Sequence, residues 1–302
     1  MKKLLALLLA LVMIVGLVAC GTTAAPETDE PVVEAPETET EAPEAETETE
    51  PEAPEVETPE SDLAYIANNG KMVIGITIYD PMNYYDEEGN LTGFDTEFAQ
   101  AVCDVMELEA EFVEINWDTK EVELEAKSID CIWNGMTITE ERAANMSISA
   151  PYVKNAQVLV VKADSGIAAT ADLIGKTVVA EMGSAGEAQV TGEEANADLA
   201  QATYVGMAKQ TDCLMEVKAG TADAAVLDWT LAKSMVGEGT DFADLMMVEG
   251  VELATEEYGI AFRKGSDTAD AVNAVIAQLV ADGTLPALAE KYGLALSPAI
   301  AG

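Results

Sequence analysis

The sequence predicts an α/β fold of two lobes, each a mostly parallel β-sheet flanked by helices, preceded by a disordered tether. Strand and helix patterns alternate throughout residues 62–302, which is typical of parallel sheets covered by helices. These roughly 240 residues are too many for one such layer and suffice for two small lobes. The residues before 62 have a composition that cannot support a packed core.

The chain begins with a predicted secretory signal over residues 1–19. Two lysines precede an apolar run from Leu4 to Ala19, which at about sixteen residues is short for a transmembrane span. The ending at Cys20 resembles a bacterial lipobox, in which the signal is cut before the cysteine and lipid is attached to its sulfur. We therefore predict lipidation of Cys20, with an uncleaved anchor helix as the alternative.

Residues 20–61 form a predicted disordered linker. Glu, Thr, Pro and Ala repeat there, with fifteen acidic residues, no basic residue and seven of the eleven prolines. Such a segment buries too little apolar surface to offset chain entropy. We interpret it as a tether that holds the folded part away from a membrane, and an acidic interaction tail is the alternative.

The remaining residues are acidic in their own right and lack histidine. Residues 62–302 contain 41 acidic and 13 basic residues, which argues against nucleic-acid binding. The chain has no His, the commonest general base and metal ligand. We therefore expect no catalysis, no cofactor and no metal. The spacing of Cys103, Cys131 and Cys213 does not indicate a disulfide framework, and we expect Cys103 and Cys131 to be buried.

Apolar runs and helical periods define a first series of elements. Asp95 is predicted to cap the first long helix. In chain order the predicted elements are the strand 72–76, the helix from 94, the strand 110–115, the helix 118–127 and the strand 129–133.

A second series follows, and the chain then returns to the first. The predicted elements are the strands 157–162 and 177–181, the helix from 185, the strand 202–205, the helix 210–219, the strand 223–228, the helix from 229, the strands 245–248 and 258–263, the helix 268–282 and a last helix to 292.

The segment IWNGMTITEER carries the most informative pattern. It starts as a buried strand, is predicted to break at Asn134-Gly135, and restarts as a helix capped by Thr137 or Thr139. Arg142 lies in the first helical turn, where the macrodipole disfavours a cation by roughly 0.3–1 kcal/mol. Such an arginine is understandable if its planar fork faces an anion. A solvated arginine paired with a surface glutamate is the alternative.

Two further segments lie at the carboxyl ends of predicted strands. In EMGSAG (181–186) a strand enters a helix through small residues, and N–H groups at such a helix start bind anions. An ordinary tight turn is the alternative. Asp228 closes the strand 223–228, where ligands of parallel sheets gather, so its carboxylate is a candidate partner for a ligand ammonium. An N-cap for the next helix is the alternative.

Residues 62–302 resemble the extracellular solute-binding proteins of family 3, the polar amino-acid receptors of ABC importers. The resemblance implies a type II periplasmic-binding-protein fold. The matching segments, in order, are GNLTGFD (89–95), 129–142, Tyr152 with 157–161, GKTVVAEMGSAGE (175–187), 223–228, YGIAFRKG (258–265) and ADGTLPALAEKY (281–292).

The resemblance implies a role for each matched position. Arg142 would bind the α-carboxylate of an amino acid, and Ser184 and Ala185 would donate backbone N–H groups to it. Gly135 would offer its carbonyl, and Thr137 its hydroxyl, to the α-ammonium. These positions would bind the α-carboxylate and the α-ammonium, the groups that all amino acids share.

The remaining matched positions would surround the ammonium and the ligand side chain. Asp228 would pair with the ammonium, Tyr79 and Trp117 would form flat walls, and Asn134 and Glu181 would line the same space. Two aromatic planes near a carboxylate favour a basic amino acid such as arginine, lysine or ornithine. Cystine or glutamine would also fit. For Trp117 a purely structural role in the core is the alternative.

Two departures from the family pattern affect the site. Lys120 and Glu121 stand where the family helix is usually apolar, so we expect that helix to lie differently on the core. Gly186 replaces a longer polar side chain and opens room in the pocket.

The resemblance also implies a mechanism and partners. Lobe 1 would comprise 62–153 and 258–302, lobe 2 would comprise 157–254, and 154–156 with 255–257 would form the hinge. Ligand would stabilise the closed state, because only then do both lobes contact it. We expect a monomer on the outer face of the membrane, anchored through Cys20, that delivers its amino acid to an ABC permease.

Two other classes share this fold. A dehydratase-like enzyme is disfavoured because the chain lacks histidine and a metal-ligand cluster. A ligand-sensing module would need a membrane span and a signalling region after residue 302.

Overall fold

A computed structural model of the protein describes residues 61–193 and 195–301. The predicted signal over 1–19, the lipidation site Cys20 and the linker up to residue 60 lie outside the described residues. Within the described ranges no single helix has the length and apolar composition to cross a membrane. The helices Thr268–Ala281 and Thr284–Tyr292 meet that test only together, bent by 79°.

Strands and α-helices alternate along the described chain. The strands are β1 (Lys71–Ile76), β2 (Tyr84–Tyr85), β3 (Leu91–Thr92), β4 (Glu109–Glu114), β5 (Cys131–Thr137), β6 (Ser147–Ile148), β7 (Val153–Lys162), β8 (Thr177–Glu181), β9 (Thr203–Met207), β10 (Ala224–Asp228) and β11 (Leu245–Phe262). The helices are α1 (Asp62–Asn69), α2 (Phe94–Val105), α3 (Lys120–Glu125), α4 (Glu140–Asn145), α5 (Ala185–Thr191), α6 (Gln210–Ala219), α7 (Trp229–Met235), α8 (Thr268–Ala281), α9 (Thr284–Tyr292) and α10 (Pro298–Ala301).

The strands form two parallel groups joined by two long antiparallel strands. The order is β4-β1-β5-β11-β7-β10-β8-β9, with β6 also paired to β11 and a separate β2–β3 hairpin. β1 runs parallel to β4 and β5, and β8 runs parallel to β9 and β10. We call the β4-β1-β5 group with its helices the first lobe and the β10-β8-β9 group with its helices the second lobe. The predicted two-lobed α/β fold of mostly parallel sheets is confirmed.

β11 corrects the prediction of two separate strands at 245–248 and 258–263. It is a single strand of 18 residues, and β7 is likewise longer than predicted. The two strands pair from Ala254 opposite Gln157 to Tyr258 opposite Val153, so the expected hinge segments are hydrogen-bonded neighbours. Residues 249–257 are rich in glutamate and give no clear strand pattern, and from Glu252 onward they pair with β7.

The predicted break at Asn134-Gly135 is also wrong, because β5 continues to Thr137. Gly135 has φ 55, which bends the strand, and its N–H donates to Asp95 Oδ2 at 2.7 Å instead of to a neighbouring strand. The same contact explains why Asp95 is not the N-cap of α2. Gly93 takes that position, and the buried Asp95 carboxylate also accepts from Tyr152 Oη at 2.9 Å.

An aromatic cluster in the first lobe fixes the position of β5. Phe98 packs edge-on against Trp133 with ring centroids 5.0 Å apart, and Phe94 stacks on Tyr152 at 6.2 Å. Every residue of β5 is buried. This packing therefore fixes the last residues of β5 at the carboxyl end of the strand, inside the sheet between β1 and β11. Cys103 and Cys131 are free and buried, as predicted.

The chain's other arginine, Arg263, has a structural role. Its guanidinium donates to Asp62 at 2.7 Å, to Asp130 at 2.9 Å and to the Ile129 carbonyl at 2.7 Å. These bonds tie the end of β11 to α1 and to the start of β5. Both carboxylates are largely buried.

We predict that Arg263→Met lowers the free energy of unfolding by about 3–5 kcal/mol, because it leaves two buried carboxylates without their cation. Urea denaturation followed by circular dichroism measures the loss. Arg142→Met is the matched control, since no carboxylate lies within 4.0 Å of Arg142 in the described part of the chain. Equal losses in the two variants would contradict the distinction.

Candidate functional site

A small cavity lies between the two lobes. The structure brings all ten residues of the predicted site together around it, with one addition, Gln210. The lining residues are Tyr79, Trp117, Asn134, Gly135, Thr137, Arg142, Glu181, Ser184, Ala185, Gln210 and Asp228.

Arg142 is buried on the first-lobe side of the cavity, with a residue exposure of 8%. Its Nη1 donates to the Thr137 carbonyl at 2.8 Å and its Nη2 donates to the Gly183 carbonyl at 2.9 Å. Burial lowers the pKa of the guanidinium, and the carboxylates of Glu256 and Glu121 act against that shift. The solvated, paired surface arginine is therefore the wrong reading. A buried cation held only by carbonyls is suited to receive an anion.

The helix starts around Arg142 and Ser184 agree with the sequence pattern. Thr139, not Thr137, caps α4, and its Oγ1 accepts from the Arg142 N–H at 3.1 Å. Ser184 caps α5 by accepting from the Glu187 N–H at 3.1 Å. The first N–H groups of a helix have no acceptor within the helix, so that of Ala185 is available at the cavity.

Asp228 lies opposite Arg142, at the carboxyl end of β10. Its Oδ1 accepts from Asn155 Nδ2 and Gln157 Nε2, both at 2.6 Å, and its Oδ2 accepts from Gln210 Nε2. Asp228 is also the N-cap residue of α7, as the alternative predicted, but its side chain makes no capping bond to that helix. Three amide donors hold the carboxylate in place without neutralising its charge.

A second carboxyl group, Glu256, shares two of those amides. Its Oε1 accepts from Asn155 Nδ2 at 2.5 Å and from Gln157 Nε2 at 2.9 Å. Burial, together with the nearby Asp228 carboxylate, raises the pKa of Glu256 to about 8. Sequence reasoning missed both Glu256 and Gln210. Gln210 could have been found, because it starts a helix just after β9 at the same sheet edge as Asp228.

Glu181 is the second acidic side chain on the cavity wall. It ends β8 and is 4% exposed, and among the described residues its carboxyl group has no hydrogen-bond donor. Burial and the Asp228 charge raise its pKa to about 8, although Lys120 acts in the opposite direction. A buried carboxyl group that faces a cavity without a donor is an acceptor for a ligand group.

The predicted walls are present but are more constrained than expected. Tyr79 Oη bonds to Thr230 Oγ1 in the second lobe and to Tyr258 Oη at 2.5 Å, so this side chain also links the lobes. Trp117 packs in a hydrophobic cluster of the first lobe and lines the cavity as well.

Asn134 is fully committed to the first lobe. Its side chain accepts from Thr77 Oγ1 at 2.6 Å and donates to the Thr77 carbonyl at 2.9 Å and to Asn83 Oδ1 at 2.6 Å. It therefore shapes the cavity wall and has little capacity left to bind a ligand amide.

Comparison with known proteins gives one consistent result. The model of the bacterial extracellular solute-binding proteins, family 3, matches residues 72–295. The L-cystine-binding protein TcyJ of Escherichia coli K12 is 32% identical over 234 residues, covering 76% of this chain and 85% of TcyJ. The arginine-binding extracellular protein ArtP of Bacillus subtilis is 30% identical, covering 74% and 86%. The crystal structure of the P235GK mutant of ArgBP from T. maritima is similar with a TM-score of 0.70 and 34% identity, covering 77% and 99%.

We predict that the protein becomes more stable as the pH falls from 8 to 5.5. Glu181 and Glu256 have a pKa of about 8, and burial raises that of Asp95 to about 7. The folded state thus keeps protons that the unfolded chain, with ordinary carboxyl pKa values, has released. Each group adds up to about 1.4 kcal/mol of stability per pH unit lowered in this window.

Thermal melts at pH 5.5 and pH 8 measure this dependence. Glu181→Gln should reduce the change in melting temperature between the two pH values, because it removes one of the three groups. Glu125→Gln, at an exposed site on α3, should leave that change unaltered. A midpoint that rises from pH 5.5 to pH 8 would contradict the prediction.

Proposed function

Because the chain belongs to the bacterial extracellular solute-binding proteins of family 3, we propose that it captures one amino acid between its lobes and delivers it to an ABC importer. The receptor acts outside the cytoplasm, anchored by lipid on Cys20 and held off the membrane by the acidic linker. The family and the relatives named above, which are binding proteins, support this proposal. So does the distribution of charge in the cavity.

The observation that carries the proposal is the separation of one cation from one carboxylate across the cavity. Arg142, which has no carboxylate within 4.0 Å in the described part of the chain, receives the ligand α-carboxylate, assisted by the N–H of Ala185 and by Ser184. Asp228 receives the α-ammonium, together with the Gly135 carbonyl and the Thr137 hydroxyl. This arrangement matches a zwitterion, and it uses side chains from both lobes.

Lobe closure follows from this division of contacts. Residues 62–153 and 258–302 form lobe 1, residues 157–254 form lobe 2, and 154–156 with 255–257 form the hinge. A ligand that touches both lobes at once stabilises the closed state by the difference between its affinities for the two states. The lobes can close by a hinge rotation about the paired strands β7 and β11, which keep the lobes connected during the motion.

Glu181 favours a basic side chain on the ligand. No described residue donates a hydrogen bond to its carboxyl group, and the flat side chains of Tyr79 and Trp117 border the same space. An arginine, lysine or ornithine side chain would supply both a charge and N–H donors to this carboxyl group. Cystine and glutamine remain the other candidates, and the commitment of Asn134 to Thr77 and Asn83 weakens the case for glutamine.

Isothermal titration with arginine, lysine, ornithine, cystine and glutamine tests the proposal. We expect binding of at least one basic amino acid and a loss of about 2–5 kcal/mol in Arg142→Ala, which leaves the ligand carboxylate buried without its partner. Near-normal affinity in Arg142→Ala would refute the role of this residue.

The side-chain preference has its own variant. Glu181→Gln should lower the affinity for basic amino acids by at least tenfold, about 1.4 kcal/mol, because an uncharged amide cannot form an ion pair with a cation. Glu125→Gln removes the same charge at an exposed position and should not change binding. If cystine were the only amino acid to give binding heat, the hypothesis of a basic ligand would be rejected, while the proposed receptor function would stand.

A further inference from the structure

Lys120 lies buried at the contact between the lobes, where a lysine is rarely found. It is the first residue of α3 in the first lobe and is 4% exposed. Its Nζ donates to the Trp117 carbonyl at 3.1 Å in its own lobe. The same ammonium donates to the Gly183 carbonyl at 2.9 Å, in the turn between β8 and α5 of the second lobe. Lys120 therefore bridges the lobes directly.

The ammonium is poorly compensated for its loss of water. No carboxylate lies within 4.0 Å of it among the described residues, and its remaining contact is the Trp117 ring, whose centroid is 4.9 Å away. Burial lowers the pKa of Lys120 to about 8, and the nearby Arg142 cation adds to that shift. Since burying a cation without a counter-ion is costly, the contacts to the second lobe must offset part of that cost.

The turn at Gly183 lies in close contact with the first lobe. Its φ is +71, and a Cβ at this position would lie 3.0 Å from Asp118 Cα and 3.3 Å from the Trp117 carbonyl oxygen. Arg142 Nη2 donates to the same Gly183 carbonyl at 2.9 Å. Two first-lobe cations thus converge on one second-lobe oxygen.

Lys120 does not line the cavity, although Arg142 does. The ammonium lies at the adjoining cleft mouth, which Gly183 and Ser184 also border. Its donors point to backbone carbonyls, so its effect on binding passes through lobe closure. Lys120 would therefore raise the affinity for every ligand by the same factor.

We propose that Lys120 is a positioning residue that fastens the two lobes together independently of ligand, so that the protein without ligand already populates the closed state. A ligand that binds only the closed state has an apparent dissociation constant divided by the fraction that is closed. We call this contact of Lys120 with the second lobe the latch. Its removal should lower the affinity for every ligand by one common factor, without changing the order of preference among ligands. The lobe contact itself does not depend on the proposed function, which enters only through the affinity readout.

The distance between the lobes tests the latch without any ligand. Spin labels at Val122→Cys on α3 and Met215→Cys on α6 occupy exposed positions in the two lobes. Double electron–electron resonance on the full chain gives their separation, and the same chain without these thiols gives the background from native cysteines. We expect Lys120→Met to shift the ligand-free distribution to longer distances. Lys120→Arg, which keeps a cationic donor, should largely retain the short distance.

Lys127→Met is the matched control, because Lys127 is exposed and removing it changes the net charge by the same amount. It should leave the distances unchanged, and melting curves of each variant verify folding. Identical ligand-free distances in the unsubstituted protein and in Lys120→Met would overturn the latch.

Affinity provides the second test. The dissociation constants of all bound amino acids should rise in Lys120→Met by the same factor, roughly tenfold, the usual worth of a charged hydrogen bond. A loss confined to one ligand would instead make Lys120 a ligand contact and overturn the proposal. If no amino acid binds, the proposed function fails, while the distance measurement still decides the latch.

Discussion

The antiparallel pairing of β7 with β11 is the constraint on which the rest of the structure depends. These strands are the part of the sheet that connects the two parallel groups, and their polar side chains also build the site. Asn155 and Gln157 of β7 hold the carboxylates of Asp228 and Glu256. Any rotation about this ribbon therefore acts directly on the carboxylate that faces the cavity. The strands that join the two parallel groups and the carboxylate at the cavity thus belong to one hydrogen-bonded network, which would couple ligand capture to lobe closure.

The cavity gathers more acid than base, and it keeps the two apart. Arg142 is held by carbonyls on one side, while Asp228 and Glu181 line the other, and Glu256 shares two amide donors with Asp228. Burial makes simultaneous ionisation of these carboxyl groups unfavourable, which is why the pKa values of Glu181 and Glu256 rise to about 8. A cationic group that enters there would relieve the repulsion. The energetic preference for a cation thus comes from the shared environment of several acids and not from a single ion pair.

The features that sequence predicted are those with a local signature. Arg142 contradicts the dipole of its own helix, and Asp228 ends an apolar strand, so each was visible within a few residues of chain. Glu256 and Gln210 have no such signature, since their role arises from strands and helices that meet only in the folded state. The continuity of β5 through Gly135 was missed for a similar reason. Its N–H is satisfied by Asp95, forty residues away along the chain. The same holds for the glutamate-rich middle of β11, which pairs with β7 from Glu252 onward.

The burial of Arg142 has a consequence for molecules that resemble basic amino acids but lack a carboxylate. An aliphatic diamine could satisfy Asp228 and Glu181 together, and the acidic surface of the protein would attract it. Inside the closed cavity, however, it would leave the guanidinium facing an apolar ligand with no water to replace the missing anion. Arg142 would therefore disfavour polyamines in a cavity whose carboxyl groups would otherwise bind them. A receptor built in this way would distinguish a basic amino acid from its decarboxylated product by a buried guanidinium that has no carboxylate within 4.0 Å among the described residues.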